Sequence, residues 1–169
     1  MHRKPLLITT FGLGHMRPAP GTWGSLPPLV VPIGFYLAGC TTDCRQSCGS
    51  WWLYHGLLIG IAVFFSMVCL MQGDRAEAAF GRKDPSQVVA DETAGQAIAL
   101  MFLPAGAFSS TSSMLAAVAV AFLSFRLLDI VKPWPAKSLQ RIPGGLGILI
   151  DDLIAGGYAL AITQFILRY

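Results

Sequence analysis

The chain has 169 residues, of which 54% are hydrophobic and only 12% charged, with a net charge of +3 and a mean hydropathy of +0.59. Soluble domains are about 25% charged, so this balance excludes an ordinary soluble domain and points to a membrane protein. The small positive charge comes without basic runs, and no nucleic-acid surface is expected.

The opening stretch "MHRKPLLITTFGLGH" has basic residues but only a short apolar run and no small-residue cleavage site, so no signal peptide is read there. Residues 11–26, "FGLGHMRPAPGTWGSL", form a Gly- and Pro-punctuated loop leading into a helix. Exposed backbone N–H groups and the Thr22 hydroxyl suit a phosphate there, with Arg17 nearby. Neither nucleotide-loop pattern occurs, and the plainer reading is a helix-entry turn with Trp23 and His15 at the lipid interface. A first helix is expected over Leu26–Gly39, with Pro27 and Pro28 in its first turn and a kink at Pro32. Cys40, Cys44 and Cys48 follow as C-x3-C-x3-C, which lacks a fourth ligand and zinc-site spacing, so they read as loop cysteines.

Trp51–Met71 is the strongest membrane span: 21 residues whose only ionisable side chain is His55, about 30 Å long as a helix. Cys69 and Arg75 match the C-x5-R spacing of cysteine phosphatases. The cysteine ends an apolar helix instead of following a strand, so the match is read as coincidence, and no G-x-S-x-G is present. A third helix is expected from "DPSQVVADETAGQAIALMFL", with Asp84 as N-cap, Pro85 as first helical residue, Gln87 as capping-box partner and Pro104 as its end. A fourth runs from Ser113 to Val131, stopped by "KPWP", and a fifth over Leu146–Leu167, carrying Asp151 and Asp152 near its start. The expected architecture is an all-α, multi-pass bundle of four to five apolar helices forming one domain over residues 1–169.

With the amino terminus inside, all but Arg45 and Arg168 of the twelve Lys and Arg residues fall on the cytoplasmic side, as the positive-inside rule requires. Asp91 and Glu92, Asp129, and Asp151 and Asp152 then lie at similar depth near that face. A carboxylate at bilayer centre costs about 2.5–3.5 kcal/mol, so such a cluster calls for compensation. Magnesium takes oxygen ligands from carboxylates, waters and substrate phosphate, and Lys83, Arg126, Lys132 and Arg141 lie in or beside the same segments. A phosphorylated lipid fits: tail in the bilayer, head among the ions. Simple pairing is the plainer reading for Arg126 and Asp129, which are i,i+3 on a helix. An ion-coupled carrier, with acids spread through the bilayer depth, is the rival of a different class.

Taken together, "FGLGHMRPAPGTWGSL", "GRKDPSQVVADETAGQ", "FRLLDIVKPWP" and "GGLGILIDDLIAGGYA" resemble the phosphatidylglycerophosphatase A family in block order and cover nearly half the chain. The resemblance implies an all-helical, magnesium-requiring enzyme of the bacterial inner membrane. It would release the terminal phosphate of phosphatidylglycerophosphate at the cytoplasmic face, with another lipid or polyprenyl phosphate as the alternative substrate. Block by block it implies functional roles for Asp84, Asp91, Glu92, Asp129, Lys132, Asp151 and Asp152. The assignment drawn from both readings places Asp84, Asp129, Asp151 and Lys132 in catalysis. Arg126, Lys83, Thr22 and Arg141 are expected on the phosphate, and Asp91, Glu92, Asp151 and Asp152 on Mg2+. Attack by water with a carboxylate as base, or by Asp129 or Asp151 to give an aspartyl-phosphate, are both open at this level.

Overall fold

The computed structural model describes residues 6–40, 48–139 and 142–169. Among these no strand occurs, and the α-helices are α1 (Pro20–Gly24), α2 (Val30–Leu37), α3 (Cys48–Phe80), α4 (Ala90–Ala99), α5 (Thr111–Val131), α6 (Ala136–Leu139) and α7 (Gly145–Arg168). Three segments among the described residues are long and apolar enough to cross a membrane: Gly49–Phe80, Thr111–Val131 and Gly145–Arg168. Hydrocarbon offers no partners to backbone N–H and C=O groups, so a helix that pairs them internally is the form such sequences take.

The first expected helix is split into a single 3-10 turn, Pro27–Leu29, and α2, as its prolines dictate. The second extends nine residues past Met71 to Phe80. Hydropathy marks the apolar part of a helix, whereas "QGDRAEAA" continues it through good helix formers.

The third expected helix is the main correction. Asp84 sits in the left-handed region with φ 47°, Gln87 accepts from Arg82 instead of closing a capping box, and the helix starts only at Ala90, with Val89 in the N-cap position. Its entry is made by Ile8, whose carbonyl accepts the N–H groups of both Val89 and Ala90 at 3.1 and 3.2 Å. At ten residues α4 is about 15 Å long, half a bilayer, so three helices have bilayer length and this one does not. Ser110 caps α5 by accepting from the Ser113 N–H at 3.1 Å. Lys132 ends it in the left-handed region, just before Pro133.

α4 is the buried centre, packed chiefly on α7 and α3. It lies parallel to α7: Gly95 abuts the backbone of Gly156 and Asp152, and farther along Gln164 Nε2 donates to the Met101 carbonyl at 3.1 Å. α3 and α5 run the opposite way. One end of the bundle is an aromatic core of Phe35, Tyr54 and Phe108 with Leu58, Leu100 and Met114. There His55 is satisfied by the Trp51 carbonyl and the Phe102 N–H. At the other end Ile8, Phe65, Val68, Ile148 and Leu149 pack beneath the charged residues.

Candidate functional site

The charged end is assembled from α4, the carboxyl end of α5, the start of α7 and the amino-terminal loop. Asp91 and Glu92 occupy the first turn of α4, not the two turns inward expected from sequence. Asp152 comes from the second turn of α7. Asp91, Glu92 and Asp152 each offer an oxygen, and these atoms all lie within 4.8 Å of one another. Asp91 Oδ1 and Glu92 Oε2 are buried without a hydrogen-bond partner. Three converging carboxylates with orphaned oxygens are the donor set that hard divalent cations take; the fit is good.

Electrostatics say the same. Asp91 is pushed well above the usual carboxylate range, first by burial, then by the Glu92 charge and their shared hydrogen bond, then by Asp84 and Asp151. Glu92 is raised to about 8, again mainly by burial, although its hydrogen bond with Asp91 and the Arg126 charge oppose the rise. Without a cation, acids this close retain protons.

Asp151 lies outside the trio. Neighbouring helical residues diverge by about 100°, and Asp151 instead pairs through Oδ2 with Lys132, leaving Oδ1 buried and unpartnered. Burial alone would lower the Lys132 ammonium, but the Asp151 hydrogen bond and the Asp151, Asp152 and Asp129 charges outweigh it and hold it above its ordinary value. Arg126 and Asp129 form the local pair at 2.9 Å. Arg126 still points into the site, because a Cβ placed on Gly21 would meet both its guanidinium nitrogens at 3.0 Å and the Glu92 carboxylate. Asp84 is half-buried at the edge, its N–H donating to Glu77 Oε1 at 3.2 Å, and its charge acts on Asp91. Thr22 follows Gly21 in α1, so it lies beside the cluster. Lys83 is exposed in the loop before α4. Arg141 and the Cys44 and Cys48 side chains fall outside the described residues. Cys69 is fully buried within α3, as its dismissal as a nucleophile requires.

Sequence reasoning missed several contributors. Ser25 Oγ accepts from Arg126 at 3.4 Å and donates to the Gly21 carbonyl at 2.8 Å. Thr93 is hydrogen-bonded to the Gly24 carbonyl at 2.7 Å and to Thr10 at 3.0 Å, which ties the amino-terminal loop to α4. Gln96, one turn below Glu92, is fully buried with both amide atoms unpartnered. The one signal for the loop was its glycine spacing: Gly14, Gly21 and Gly24 are the positions where a side chain would strike α4 or the residues before it.

Against known proteins, the family model described as phosphatidylglycerophosphatase A matches residues 6–167. Phosphatidylglycerophosphatase A of Haemophilus influenzae is 31% identical, covering 97% of this chain and 88% of that protein. The Escherichia coli protein of the same name is also 31% identical, covering 95% and 81%. A protein of Bacteroides thetaiotaomicron named putative phosphatidylinositol-3-phosphatase is 31% identical over 96% and 95%. No solved structure matches.

Proposed function

The chain belongs to the phosphatidylglycerophosphatase A family, and from that premise we propose that it hydrolyses the terminal phosphomonoester of phosphatidylglycerophosphate, leaving phosphatidylglycerol and inorganic phosphate. The observation that carries the reading is the convergence of Asp91, Glu92 and Asp152 beside two cations, at one end of helices long enough to span a bilayer. A lipid phosphate lies at that depth, and an ion carrier would need its acids distributed along the path instead.

The residues fit a divalent cation, proposed as magnesium, held by Asp91, Glu92 and Asp152. When bound it supplies positive charge to the phosphoryl oxygens. Arg126, steadied by Asp129 and Ser25, and Lys132, steadied by Asp151, present fixed positive charge to the same group, so positioning and electrostatics carry most of the rate. Asp151 Oδ1, buried and unpartnered, is assigned as acceptor of the proton from an attacking water. The phosphorus–oxygen bond to the glycerol then breaks, and the glycerol oxygen leaves as an alcohol after taking a proton. Asp84 is assigned to the edge of the site, and Lys83, Thr22 and Arg141 to its phosphate-facing rim.

The site is proposed to face the cytoplasm of a bacterial inner membrane. Arg75, Arg82, Lys83, Arg126, Lys132 and Lys137 all lie toward this end, and Arg168 lies at the other. A second reading, a phosphate on an inositol headgroup, is favoured by the name of the Bacteroides relative.

The test is phosphate release in detergent micelles from phosphatidylglycerophosphate and from phosphatidylinositol 3-phosphate, with and without magnesium, for wild type and Asp152→Asn. Magnesium-dependent release from the first lipid, lost in a folded Asp152→Asn protein, is expected. Release from the inositol lipid alone moves the assignment to the second reading. Full activity in the variant removes Asp152 from the site.

A further inference from the structure

Beyond its acidic first turn α4 reads "TAGQAIA", residues 93–99, small or apolar except at Thr93 and Gln96. Thr93 is accounted for, since its hydroxyl bonds the Gly24 carbonyl and Thr10. Gln96 is not. Its side chain is fully buried, and among the described residues neither amide atom has a hydrogen-bond partner. An amide enclosed without partners destabilises a fold, and α4 is walled by α3, α5 and α7, so bulk water does not relieve it. A methionine of similar length would pack there without that cost. Stability therefore does not explain Gln96, whereas its position points to the site above it.

Gln96 lies one turn, about 6 Å, beyond Glu92 on the same face of α4. Long side chains on a helix lean toward its amino terminus and over the preceding turn, which carries the Gln96 amide toward the Glu92 carboxylate. The two oxygens of Glu92 are differently placed. Oε1 faces the amino-terminal loop, where it would meet a Cβ on Gly21. Oε2 is buried and, like the Gln96 amide, unpartnered. A carboxylate oxygen that lacks a donor and an amide NH2 that lacks an acceptor thus occupy adjacent turns of one helix face. One bridging water, or a change of rotamer in either side chain, joins them.

We propose that Gln96 is a positioning residue for the cation site: its Nε2 donates to Glu92 Oε2, directly or through one ordered water, and holds that carboxylate facing Asp91 and Asp152. This inference rests on the reading of Asp91, Glu92 and Asp152 as ligands of a divalent cation. A ligating carboxylate is aimed by the hydrogen bond it receives from behind, and such supporting groups change metal affinity by about 10–100-fold.

The experiment titrates Mn2+ into metal-stripped, substrate-free protein in detergent, reading free Mn2+ by its electron paramagnetic resonance signal. Thermal unfolding without metal and the magnesium dependence of phosphate release are measured beside it. The proteins are wild type, Gln96→Met, Gln96→Leu and Thr163→Val. Thr163 is the control: its hydroxyl is equally buried and unpartnered, but it lies on α7 eleven residues, about 16 Å, beyond Asp152. Because each variant removes an orphaned polar group, all three are expected to unfold at or above the wild-type temperature. Gln96→Met and Gln96→Leu should weaken Mn2+ binding about tenfold or more. They should need correspondingly more magnesium for half-maximal phosphate release, yet regain nearly the wild-type kcat when it saturates. Thr163→Val should keep the wild-type affinity; equal weakening there makes the effect one of general packing and overturns the proposal. If the two Gln96 variants bind Mn2+ as wild type does, Gln96 is a core amide, and the proposal fails while the cation site stands. If both unfold well below wild type without metal, the amide is bonded within the fold itself, which also overturns the proposal. A wild type that binds no Mn2+ overturns the cation site together with it.

Discussion

Gly95→Ala tests the geometry that brings the acidic trio together. A Cβ on Gly95 would stand 2.5 Å from the Asp152 carbonyl oxygen and 2.5 Å from the Phe125 ring, whereas ordinary contact begins at 3.4 Å. Phe125 is fully buried and has nowhere to go, so α4 and α7 must part by about 0.9 Å, the difference between those two distances. Overpacking of this kind costs about 1–3 kcal/mol, against a gain of about 1 kcal/mol from the better helix propensity of alanine. A net loss of up to about 2 kcal/mol is expected. The functional effect is larger. Asp91 is on α4 and Asp152 on α7, so the same movement pulls their oxygens apart, while metal sites tolerate about 0.2 Å. A misplacement near 1 Å is worth about 100-fold in rate. The assay pairs thermal unfolding in detergent with magnesium-dependent phosphate release, and Gly157→Ala is the control, since its Cβ meets nothing within 4 Å. Gly157→Ala should be as stable as wild type or slightly more so. If Gly95→Ala matches it in both stability and activity, the close crossing of α4 and α7 does not hold the site.

Three further outcomes follow from the same geometry. Burial raises both Asp91 and Glu92, so the folded chain holds protons that the unfolded chain has lost; the stability tied to Glu92 is full at low pH and disappears as pH rises through about 8. Metal-free protein should therefore melt at lower temperature at pH 9 than at pH 6, and magnesium should remove most of the difference; a flat metal-free profile contradicts the reading. Lys132→Met leaves Asp151 buried without a counter-ion and should cost about 2–3 kcal/mol together with activity, whereas adding Asp151→Asn should recover the stability but not the turnover, measured as a double-mutant cycle. Thr93→Val removes the bonds to the Gly24 carbonyl and to Thr10, and should cost about 1–2 kcal/mol and raise KM. Hydrogen exchange should quicken in residues 20–25, and unchanged exchange there would mean the loop is held by other contacts.

Much of this arrangement was legible because membrane constraints act locally. A run of some twenty apolar residues must satisfy its own backbone, and so α3, α5 and α7 follow from hydropathy alone. The Arg126–Asp129 pair follows from helical spacing, whereas the Ser110 cap, which starts α5 at Thr111 instead of Ser113, was not read from the sequence. The prediction failed where a distant group replaced a local signal. "DPSQ" reads as a capping box, yet α4 begins five residues later because the Ile8 carbonyl, some eighty residues away in sequence, takes the first N–H groups.

The same division separates the charges. Composition and topology pointed to five carboxylates at one end of the bundle, although Asp91 and Glu92 lie in the first turn of their helix and not two turns inside it. Which of the adjacent Asp151 and Asp152 joins Asp91 and Glu92 is a matter of rotation about α7, and no local rule sets it. The close approach of Gly95 to α7 turns Asp152 toward α4 and leaves Asp151 to Lys132. Sequence determines the depth of a residue in a membrane helix because the bilayer acts along one axis; its direction around that axis is decided only when helices pack.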